Sequence, residues 1–403
     1  MSSLSLYLPP FTSDYAGVCS ALFDLDCMIA INDASCCTSN YVNYDEPRWS
    51  EAKKTTLCTS LRTVDAIFGT DEKVISQITE AAASIAPDFV VVLGSPVPAI
   101  IGTDTKGMAI ETEALTGIPT LGIDTTGFPY YPAGIRAAFS QLIKRFGPKA
   151  GGDSALDERE KRAVNIIGMT PIDYGTGSYA ALKALLEDNG FGVNATLGMG
   201  SSLGSIARID QALCNIVVSY SGLEAARELR NRFGTPYVVS AFTGTGESAR
   251  TIDAVRRLSA SGDEDDPASG SYAADAEGSS SPESGVLIIG DQVIANSLRS
   301  AMRAAGCARR IAAASFFGID GELAEAGDFA IGSEPALIKH MRSHRYDLVI
   351  GDPLLARVPE IGSGRLAALP HPAVSSRLHW SDVPVFPSSA LDDLVAEALG
   401  RLS

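Results

Sequence analysis

The stretch FVVVLGSP, residues 89–96, decides the fold of this chain. Five consecutive apolar residues, Phe89–Leu93, end at Gly94, Ser95 and Pro96, and helix-like sequence follows from Gly102. An uninterrupted apolar run of this length is typical of a strand that is buried on both faces. The Gly-Ser-Pro sequence then favours a turn. The stretch therefore predicts one strand–turn–helix unit.

The same unit recurs along the chain. Other apolar runs end in a turn and lead into helical patterns: Cys27–Ile31, Thr120–Ile123, Val164–Ile167, Asn215–Val218, Val286–Ile289 and Leu348–Ile350. Alternation of buried strands with helices predicts an α/β fold with mainly parallel sheets. Ligands of such folds bind at the carboxyl ends of the strands, so we expect the functional residues in the loops that follow them.

The segment 259–285 separates two regions of this pattern. It is rich in Ser, Gly, Ala and acidic residues, and too poor in apolar residues to offset the entropy cost of ordering. We predict a disordered acidic linker there and an irregular tail from Pro359 that ends in a helix, Leu391–Leu402. The predicted organisation is three α/β domains, at 1–150, 151–258 and 286–403.

Composition narrows the range of partners. The 403 residues carry a formal net charge of −16, which argues against general binding to nucleic acid or to an anionic membrane. The start of the chain, MSSLSL, lacks the features of a signal peptide, and no apolar run is long enough to span a bilayer. Seven cysteines form no compact disulfide framework, so we expect a cytoplasmic protein.

Three cysteines, Cys19, Cys37 and Cys58, lie in or near turns of the N-terminal region. Thiolates that come from separate turns can hold an iron–sulfur cluster, which usually takes four of them. The alternative is that each is a small buried hydrophobe. That second interpretation is the one we favour for Cys27, Cys214 and Cys307.

Several segments resemble the component 1 proteins of nitrogenases and their relatives, which include dark-operative protochlorophyllide reductase and the reductive cyclase of nickel-tetrapyrrole biosynthesis. These segments include PPFTSDYAGVCSAL, CMIAINDASCCTSNY, VVLGSPVPAIIGTD and NIVVSYSGLEAARELRNRFGTPY. The resemblance is good over Pro9–Tyr237 and weaker over Val286–Pro353. It implies three Rossmann-like domains and an iron–sulfur cluster, [4Fe–4S] in type, at a subunit interface. It also implies an ATP-dependent iron–sulfur reductase, similar to the nitrogenase iron protein, as partner.

The resemblance extends to the metal ligands only in part. Cys37 matches the cysteine of the family's Gly-Cys pair, with Cys36 in place of the glycine. Cys19 lies in the upstream segment that commonly supplies another ligand. Many members carry a ligand cysteine in the region of 93–98, where this chain has none, and Cys58 is the predicted substitute.

Two or three thiolates from one chain leave the ligand set incomplete. The resemblance implies completion by a symmetry mate in a homodimer, by a homologous second subunit, or by an oxygen ligand such as Asp33. The family's second cofactor takes a cysteine that would fall near Arg227, where none is present, and His371 and His379 are predicted to be ordinary surface or loop histidines. Reduction of dinitrogen is therefore not expected.

The loop Tyr44–Trp49 concentrates acidic, basic and aromatic side chains. Asp45 and Glu46 are candidate catalytic proton donors for coupled electron and proton transfer. The alternative is a structural loop in which Arg48 pairs with one of them and Trp49 packs. Three residues at strand ends are predicted to line the cofactor or substrate cavity: Gly94, Asp124 and Gly168.

Two other patterns favour structural interpretations. His340 and His344 are spaced i,i+4 like a metal pair, but the neighbouring basic residues favour a solvated helix face. Residues 244–249 match G-x-G-x-x-A without the second strand and acidic residue of a dinucleotide site. The sequence contains no phosphate-binding loop with G-K-S/T, so ATP hydrolysis, if it occurs, belongs to a partner.

The sequence therefore predicts the catalytic component of a nitrogenase-like two-component oxidoreductase. Its substrate is not N2, and whether it is tetrapyrrole-like is left open. One alternative is a non-catalytic scaffold on which a metallocofactor is assembled or carried. Another is a small-molecule binding module that has kept the fold and lost the metal.

Overall fold

The computed structural model of the chain describes residues 5–50, 55–69, 71–149, 162–261 and 285–402. Over these residues it forms three sheets, and all strand pairs within them are parallel. The predicted α/β fold with parallel sheets is thus confirmed. Most of the acidic linker predicted at 259–285 lies outside the described residues.

The first sheet has the strand order β2-β1-β3-β4. Its strands are β1 Cys27–Ile31, β2 Thr55–Cys58, β3 Phe89–Leu93 and β4 Thr120–Ile123. The helices of this region are α1 Asp14–Leu22, α2 Cys36–Asn40, α3 Thr63–Phe68, α4 Asp71–Ile85, α5 Pro96–Ile101, α6 Thr105–Thr116 and α7 Tyr131–Phe146. A π-helical turn, Tyr41–Asp45, continues α2, and a 3-10 turn, Pro47–Ser50, follows it.

The second sheet has the order β6-β5-β7-β8. Its strands are β5 Ala163–Met169, β6 Gly192–Gly198, β7 Cys214–Val217 and β8 Tyr237–Val239. The helices are α8 Ser178–Asp188, α9 Leu203–Ile206, α10 Leu223–Phe233 and α11 Thr245–Ser261, with a 3-10 turn at Tyr220–Gly222.

The third sheet has the order β11-β10-β9-β12-β13. Its strands are β9 Gly285–Ile289, β10 Arg310–Ser315, β11 Phe329–Ala330, β12 Tyr346–Gly351 and β13 Leu366–Ala368. The helices are α12 Gln292–Ala304, α13 Glu334–Ser343, α14 Gly362–Arg365, α15 Pro372–Ser375 and α16 Ser389–Gly400, with 3-10 turns at Pro353–Arg357 and Ser376–Asp382.

The side chains of the first sheet divide between two cores. Alternate residues of β1 and β3, among them Ile29 and Val91, pack into the same core as residues of α1 and α7. The intervening residues, among them Val90 and Val92, pack with residues of α4 and α6. This period of two buries every residue of both strands, which explains why their sequences are continuously apolar.

The tail after Pro359 is more regular than its sequence indicates. Leu366–Ala368 pairs in parallel with Val349–Gly351 at the edge of the third sheet, so the expectation of irregular structure is wrong at β13. Three residues provide too little pattern for a strand to be recognised, and their pairing depends on the neighbouring strand. Among the described residues, no helix has both the length and the apolar character needed to cross a bilayer.

Candidate metal centre at the edge of the first sheet

The carboxyl ends of β1, β2 and β3 meet because the three strands are adjacent and parallel. The register pairs Ile31 with Cys58 on one side and with Leu93 on the other. The loops that follow are joined by hydrogen bonds, including one from the amide of Asn32 to the carbonyl of Leu93 at 2.8 Å. Residues distant in the sequence therefore share one edge of the sheet.

Asp33 organises this edge. Its carboxylate is fully buried, and Oδ2 accepts hydrogen bonds from the amide of Thr38 at 3.0 Å and from the Thr38 hydroxyl at 3.1 Å. The hydroxyl of Ser95, after β3, donates to Oδ1 at 3.2 Å. These contacts fix α2 relative to two neighbouring strand ends.

Cys36 and Cys37 lie beside this carboxylate. The two sulfur atoms are 3.9 Å apart, and Cys36 Sγ is 4.0 Å from Asp33 Oδ1. In the part of the chain that the structure describes, these three residues form the group of possible metal donors whose atoms all lie within 4.8 Å of one another. Cys36 is exposed and Cys37 is half-buried.

Cys58 ends β2 next to the same loop. Its sulfur is 3.4 Å from the carbonyl oxygen of Asp33 and 3.4 Å from the hydroxyl of Ser35, which precedes Cys36. The amide of Ser60 donates to the sulfur, also at 3.4 Å. Two of the cysteines predicted as ligands, Cys37 and Cys58, thus lie at this edge of the sheet.

Cys19, the third predicted ligand, has a different environment. It is fully buried in α1, within the apolar core, and it does not belong to the donor group formed by Asp33, Cys36 and Cys37. Burial raises the pKa of its thiol well above the ordinary value, and the charge of Cys27 raises the pKa further. A neutral thiol in an apolar environment behaves as a small hydrophobic side chain.

The thiol of Cys37 is protonated near neutral pH when no cation is bound. Burial raises its pKa to about 12, and the neighbouring Asp33 and Cys36 contribute to the rise. A hydrogen bond from Tyr15 acts in the opposite direction. Metal binding deprotonates a coordinating thiol, so a cation here would displace this proton.

The carboxyl groups of Asp45 and Glu46 are adjacent in sequence but have different surroundings. Asp45 accepts hydrogen bonds from Thr12 Oγ1 at 3.2 Å and from Asn40 Nδ2 at 2.8 Å. Burial raises the pKa of Asp45 to about 7, against the lowering effect of those two hydrogen bonds. Near neutral pH this carboxyl group can therefore exchange a proton.

Glu46 is instead held in an ion pair. Arg48 donates through Nε to Oε1 at 2.7 Å and through Nη2 to Oε2 at 2.9 Å, and both side chains are largely buried. Trp49 packs at 5.9 Å from Tyr41 and 6.4 Å from Phe23, measured between ring centroids. These are the contacts of the structural alternative, with Glu46 rather than Asp45 as the partner of the arginine.

The three residues predicted to line a cavity are not equivalent. A side chain at Gly94 would overlap the carbonyl oxygen of Thr125, so close approach of two loops requires glycine there. Asp124 is about half exposed and pairs with Lys106 at 2.6 Å. Gly168 belongs to β5 of the second sheet, has φ +96°, and packs against Ser219 and Gly222.

A second polar cluster lies inside the protein. His371, predicted at the surface or in a loop, is buried, and its Nε2 atom is 3.2 Å from Asp173 Oδ1, which also accepts a hydrogen bond from Tyr131. The ring of Phe317 stacks on the imidazole at 5.0 Å. Asp291 lies in the same region, and burial, with the charge of Asp173, raises its pKa to about 7. The sequence of the tail from Pro359, which predicts irregular structure, gave no signal for this cluster.

The histidine pair His340 and His344 and the glycine pattern 244–249 make contacts within the protein. His340 stacks on Phe329 at 4.0 Å and bonds to the hydroxyl of Tyr346 at 2.8 Å. At the glycine pattern 244–249, the amide of Thr245 donates to the carboxylate of Asp392, at 3.0 Å to its nearer oxygen. The backbone amide at the start of α11 is thus bound by a side-chain carboxylate.

Sequence reasoning missed two residues of the site. Cys36 stands in place of a glycine of the family's pattern, and its sulfur lies 3.9 Å from that of Cys37, which makes it a candidate donor. Ser95 lies in the region 93–98, where the resemblance predicts a cysteine that this chain lacks, and its hydroxyl donates a hydrogen bond to Asp33. The signal available for Cys36 was the Cys-Cys doublet itself.

Comparisons with known proteins agree with this architecture. The family model of the nitrogenase component 1 type oxidoreductases matches residues 13–352. A light-independent protochlorophyllide reductase subunit of Nostoc punctiforme is 29% identical over 197 residues, which are 47% of this chain and 38% of the relative. The nitrogenase iron-molybdenum cofactor biosynthesis protein NifE of Klebsiella pneumoniae is 28% identical over 218 residues, 52% of this chain and 46% of the relative.

Each of these alignments spans less than half the length of the relative. Similarity of fold extends further, because a solved structure of nitrogenase Cp1 at pH 5 superposes with a TM-score of 0.65 at 14% identity, covering 99% of this chain and 89% of the other. The family model covers most of the chain. The protein therefore belongs to the nitrogenase component 1 type oxidoreductase family.

Proposed function

We propose that this chain is the catalytic component of a nitrogenase-like two-component oxidoreductase. A partner reductase that hydrolyses ATP would deliver low-potential electrons to an iron–sulfur cluster bound at the edge of the first sheet. The observation that carries the proposal is the proximity of Asp33 and Cys37, which follow β1, to Cys58 at the end of the adjacent strand β2. Membership of the family supports it.

The donor set fits a metal–sulfur group. Cys37 and Cys58 would supply thiolates, and Asp33 would supply an oxygen ligand. When bound, the cluster would accept and release single electrons. We do not assign Cys19 as a ligand, because it packs in the apolar core and lies outside the donor group formed by Asp33, Cys36 and Cys37.

A second subunit would complete the site. α3 and α5 begin just after β2 and β3, and they carry apolar side chains that are exposed in the single chain. The most exposed are Phe68 at 84%, Ile100 at 74% and Ile67 at 70%. An apolar surface of this kind next to a metal site supports burial against a second copy or a homologous subunit.

Asp45 is the proton donor in this proposal. Its carboxyl group is buried near the donor loop, and its pKa of about 7 allows both protonation states near neutral pH. Glu46, paired with Arg48, would instead fix the backbone of the loop. Gly94 and Asp124, at the ends of the next two strands, would form part of the cavity wall on the same side.

The substrate is proposed to be a molecule other than N2. The helix position expected for the second cofactor's cysteine is near Arg227, whose guanidinium pairs with Asp320 at 2.6 Å and with Glu322 at 2.7 Å. The position thus carries an arginine held in ion pairs and not a cysteine. An iron–molybdenum type cofactor therefore has no thiolate here to bind.

The test is metal analysis of anaerobically purified protein. Wild-type protein is expected to contain iron and acid-labile sulfide, and to show a cluster signal in electron paramagnetic resonance after reduction. Cys37→Ser and Cys58→Ser should lower the iron content, whereas Cys307→Ser, in the loop between α12 and β10, should not. Folded wild-type protein without iron after reconstitution would overturn the proposal.

One observation favours a second function. The similarity to NifE, a cofactor biosynthesis protein, supports a scaffold that carries a metallocofactor without turning over a substrate. The two functions differ in ATP-dependent turnover. A cluster that is reduced by the partner without consumption of substrate, and a bound cofactor that transfers to another protein, would favour the scaffold.

A further inference from the structure

Three donor atoms at the edge of the first sheet have the spacing of ligands to a single ion. In a tetrahedral site with metal–sulfur bonds of about 2.3 Å, two sulfur atoms lie about 3.8 Å apart. The sulfur atoms of Cys36 and Cys37 are 3.9 Å apart. Thiolates that bind different irons of a cluster are more widely separated, so this pair matches one metal ion better.

The carboxylate of Asp33 fits the same tetrahedron. A metal–oxygen bond of about 2.0–2.2 Å predicts a sulfur–oxygen edge of roughly 3.6 Å. The observed distance between Cys36 Sγ and Asp33 Oδ1 is 4.0 Å, and the three donors all lie within 4.8 Å of one another. The edge between Cys36 and Asp33 would have to shorten by roughly 0.4 Å to reach the value for a bound ion.

The surroundings already hold this arrangement. Asp33 is fully buried, and hydrogen bonds from Thr38 and Ser95 fix the orientation of its carboxylate. Outer contacts of this kind orient metal ligands in known sites. Cys58 Sγ, 3.4 Å from the carbonyl oxygen of Asp33, is the nearest further thiol for a fourth position.

The chemistry of the donors limits the ion. Two thiolates and one carboxylate suit Zn²⁺ or Fe²⁺, whereas Mg²⁺ and Ca²⁺ prefer oxygen ligands throughout. The exposure of Cys36 leaves an entry path from solvent. All three donors come from one chain, so binding needs no second subunit.

We propose that Asp33, Cys36 and Cys37 bind a single thiophilic divalent cation of the Zn²⁺ or Fe²⁺ class. The site shares Cys37 and Asp33 with the cluster of the proposed function, so one chain holds either the ion or the cluster. Cys36 distinguishes the two, because the proposed cluster uses Cys37 and Cys58 and does not need it.

The test uses Co²⁺ as a spectroscopic substitute. Full-length protein, reduced, freed of metal and kept anaerobic, is titrated with CoCl₂. We expect one Co²⁺ per chain, with absorption bands of tetrahedral cobalt and of thiolate-to-cobalt charge transfer. Cys36→Ser should weaken binding by more than the ~10–100-fold that loss of an outer contact costs. Cys307→Ser, the matched control, should bind as wild type does.

Cys36 is exposed, so its substitution is not expected to disturb the fold, which circular dichroism of each variant verifies. Absence of the charge-transfer band in wild type would overturn the single-ion site. So would identical Co²⁺ affinity in wild type and Cys36→Ser.

Iron and sulfide reconstitution of the same proteins separates this inference from the proposed function. A Cys36→Ser protein that assembles a cluster and has lost Co²⁺ binding supports both. Wild-type protein that binds Co²⁺ through thiolates and never assembles a cluster supports the ion site and refutes the proposed function. Wild-type protein that assembles a cluster and shows no thiolate-bound Co²⁺ refutes the ion site alone.

Discussion

Removal of the Arg48 charge should strongly destabilise the N-terminal region. The guanidinium donates to both carboxylate oxygens of Glu46, to Asp24 at 3.1 Å and to the carbonyl of Ser20 at 3.1 Å. It also lies 4.2 Å from the ring centroid of Phe23. Arg48→Met keeps much of the side-chain volume and leaves the carboxylate of Glu46 buried without its cation.

The expected loss follows from that unpaired charge. Breaking a buried ion pair by removing one partner costs about 3–5 kcal/mol, whereas replacing both partners with neutral groups is often far less costly. The double variant Glu46→Gln, Arg48→Met should therefore lose only about 1–2 kcal/mol, from hydrogen bonds to Asp24 and Ser20. Arg256→Met, in an exposed pair, should change stability by about 0–1 kcal/mol.

Urea unfolding followed by tryptophan fluorescence provides the assay. The chain has two tryptophans, Trp49 and Trp380, so a Trp380→Phe background makes Trp49 a local reporter of this segment. Two results would refute the reasoning. One is a loss below about 1 kcal/mol in Arg48→Met, and the other is a double variant as unstable as the single one.

Three further changes test other parts of the structure. Burial raises the pKa of Asp45 to about 7, so its protonated carboxyl contributes fully to stability below about pH 4, and this contribution is lost as the pH rises through 7. The free energy of unfolding in urea should therefore differ between pH 5 and pH 8, and Asp45→Asn should reduce that difference by about 2–4 kcal/mol. Gly94→Ala should lower the free energy of unfolding by about 1–3 kcal/mol through overpacking. Gly246→Ala, in α11 with no atom near the added methyl group, should raise it by roughly 0.5–1 kcal/mol. Equal effects of the two substitutions would contradict the packing argument. His371→Ala should lower the free energy of unfolding by about 1–3 kcal/mol, because Asp173 keeps its hydrogen bond from Tyr131 but loses the imidazole 3.2 Å away, and the ring of Phe317 loses its stacking partner. Thermal unfolding of His379→Ala, at an exposed pair, should match wild type.

The central strands could be predicted from the sequence because burial on both faces requires a continuous apolar run. β1, β3 and β4 are observed at the limits that their apolar runs predict. Burial on both faces removes the alternation that would otherwise make a strand ambiguous. The strands at sheet edges behave differently: Thr55–Cys58 is half-buried at every position, and its sequence contains no continuous apolar run.

A strand made of residues with low β-propensity is also difficult to predict from the sequence. Arg310–Ser315 reads RIAAAS, and three alanines indicate a helix as readily as a strand. Its identity as β10 depends on pairing with Gly285–Ile289 and with Phe329–Ala330. Such pairing brings together residues far apart in sequence, which a local pattern cannot report.

The sequence predicted where in the fold the candidate site lies, but not which side chains contact one another there. Strand ends and thiols together located Cys37 and Cys58, because parallel strands bring their carboxyl ends to one edge. The contacts within the site depend on the direction of each side chain, which the sequence does not give. Arg48 could reach Asp45 or Glu46 from its place in the loop, and only the observed bidentate geometry selects Glu46.

The site also depends on the weakest strand of its sheet. Cys58 reaches the donor loop because β2 pairs with β1 in a single register, and a shift by one residue would turn its side chain to the opposite face. β2 is an edge strand and only half-buried, so apolar packing fixes this register less firmly than it fixes that of β1 or β3. A metal bound by Cys58 together with residues after β1 would link the two strands directly. Metal binding and the pairing of this edge strand should therefore stabilise each other.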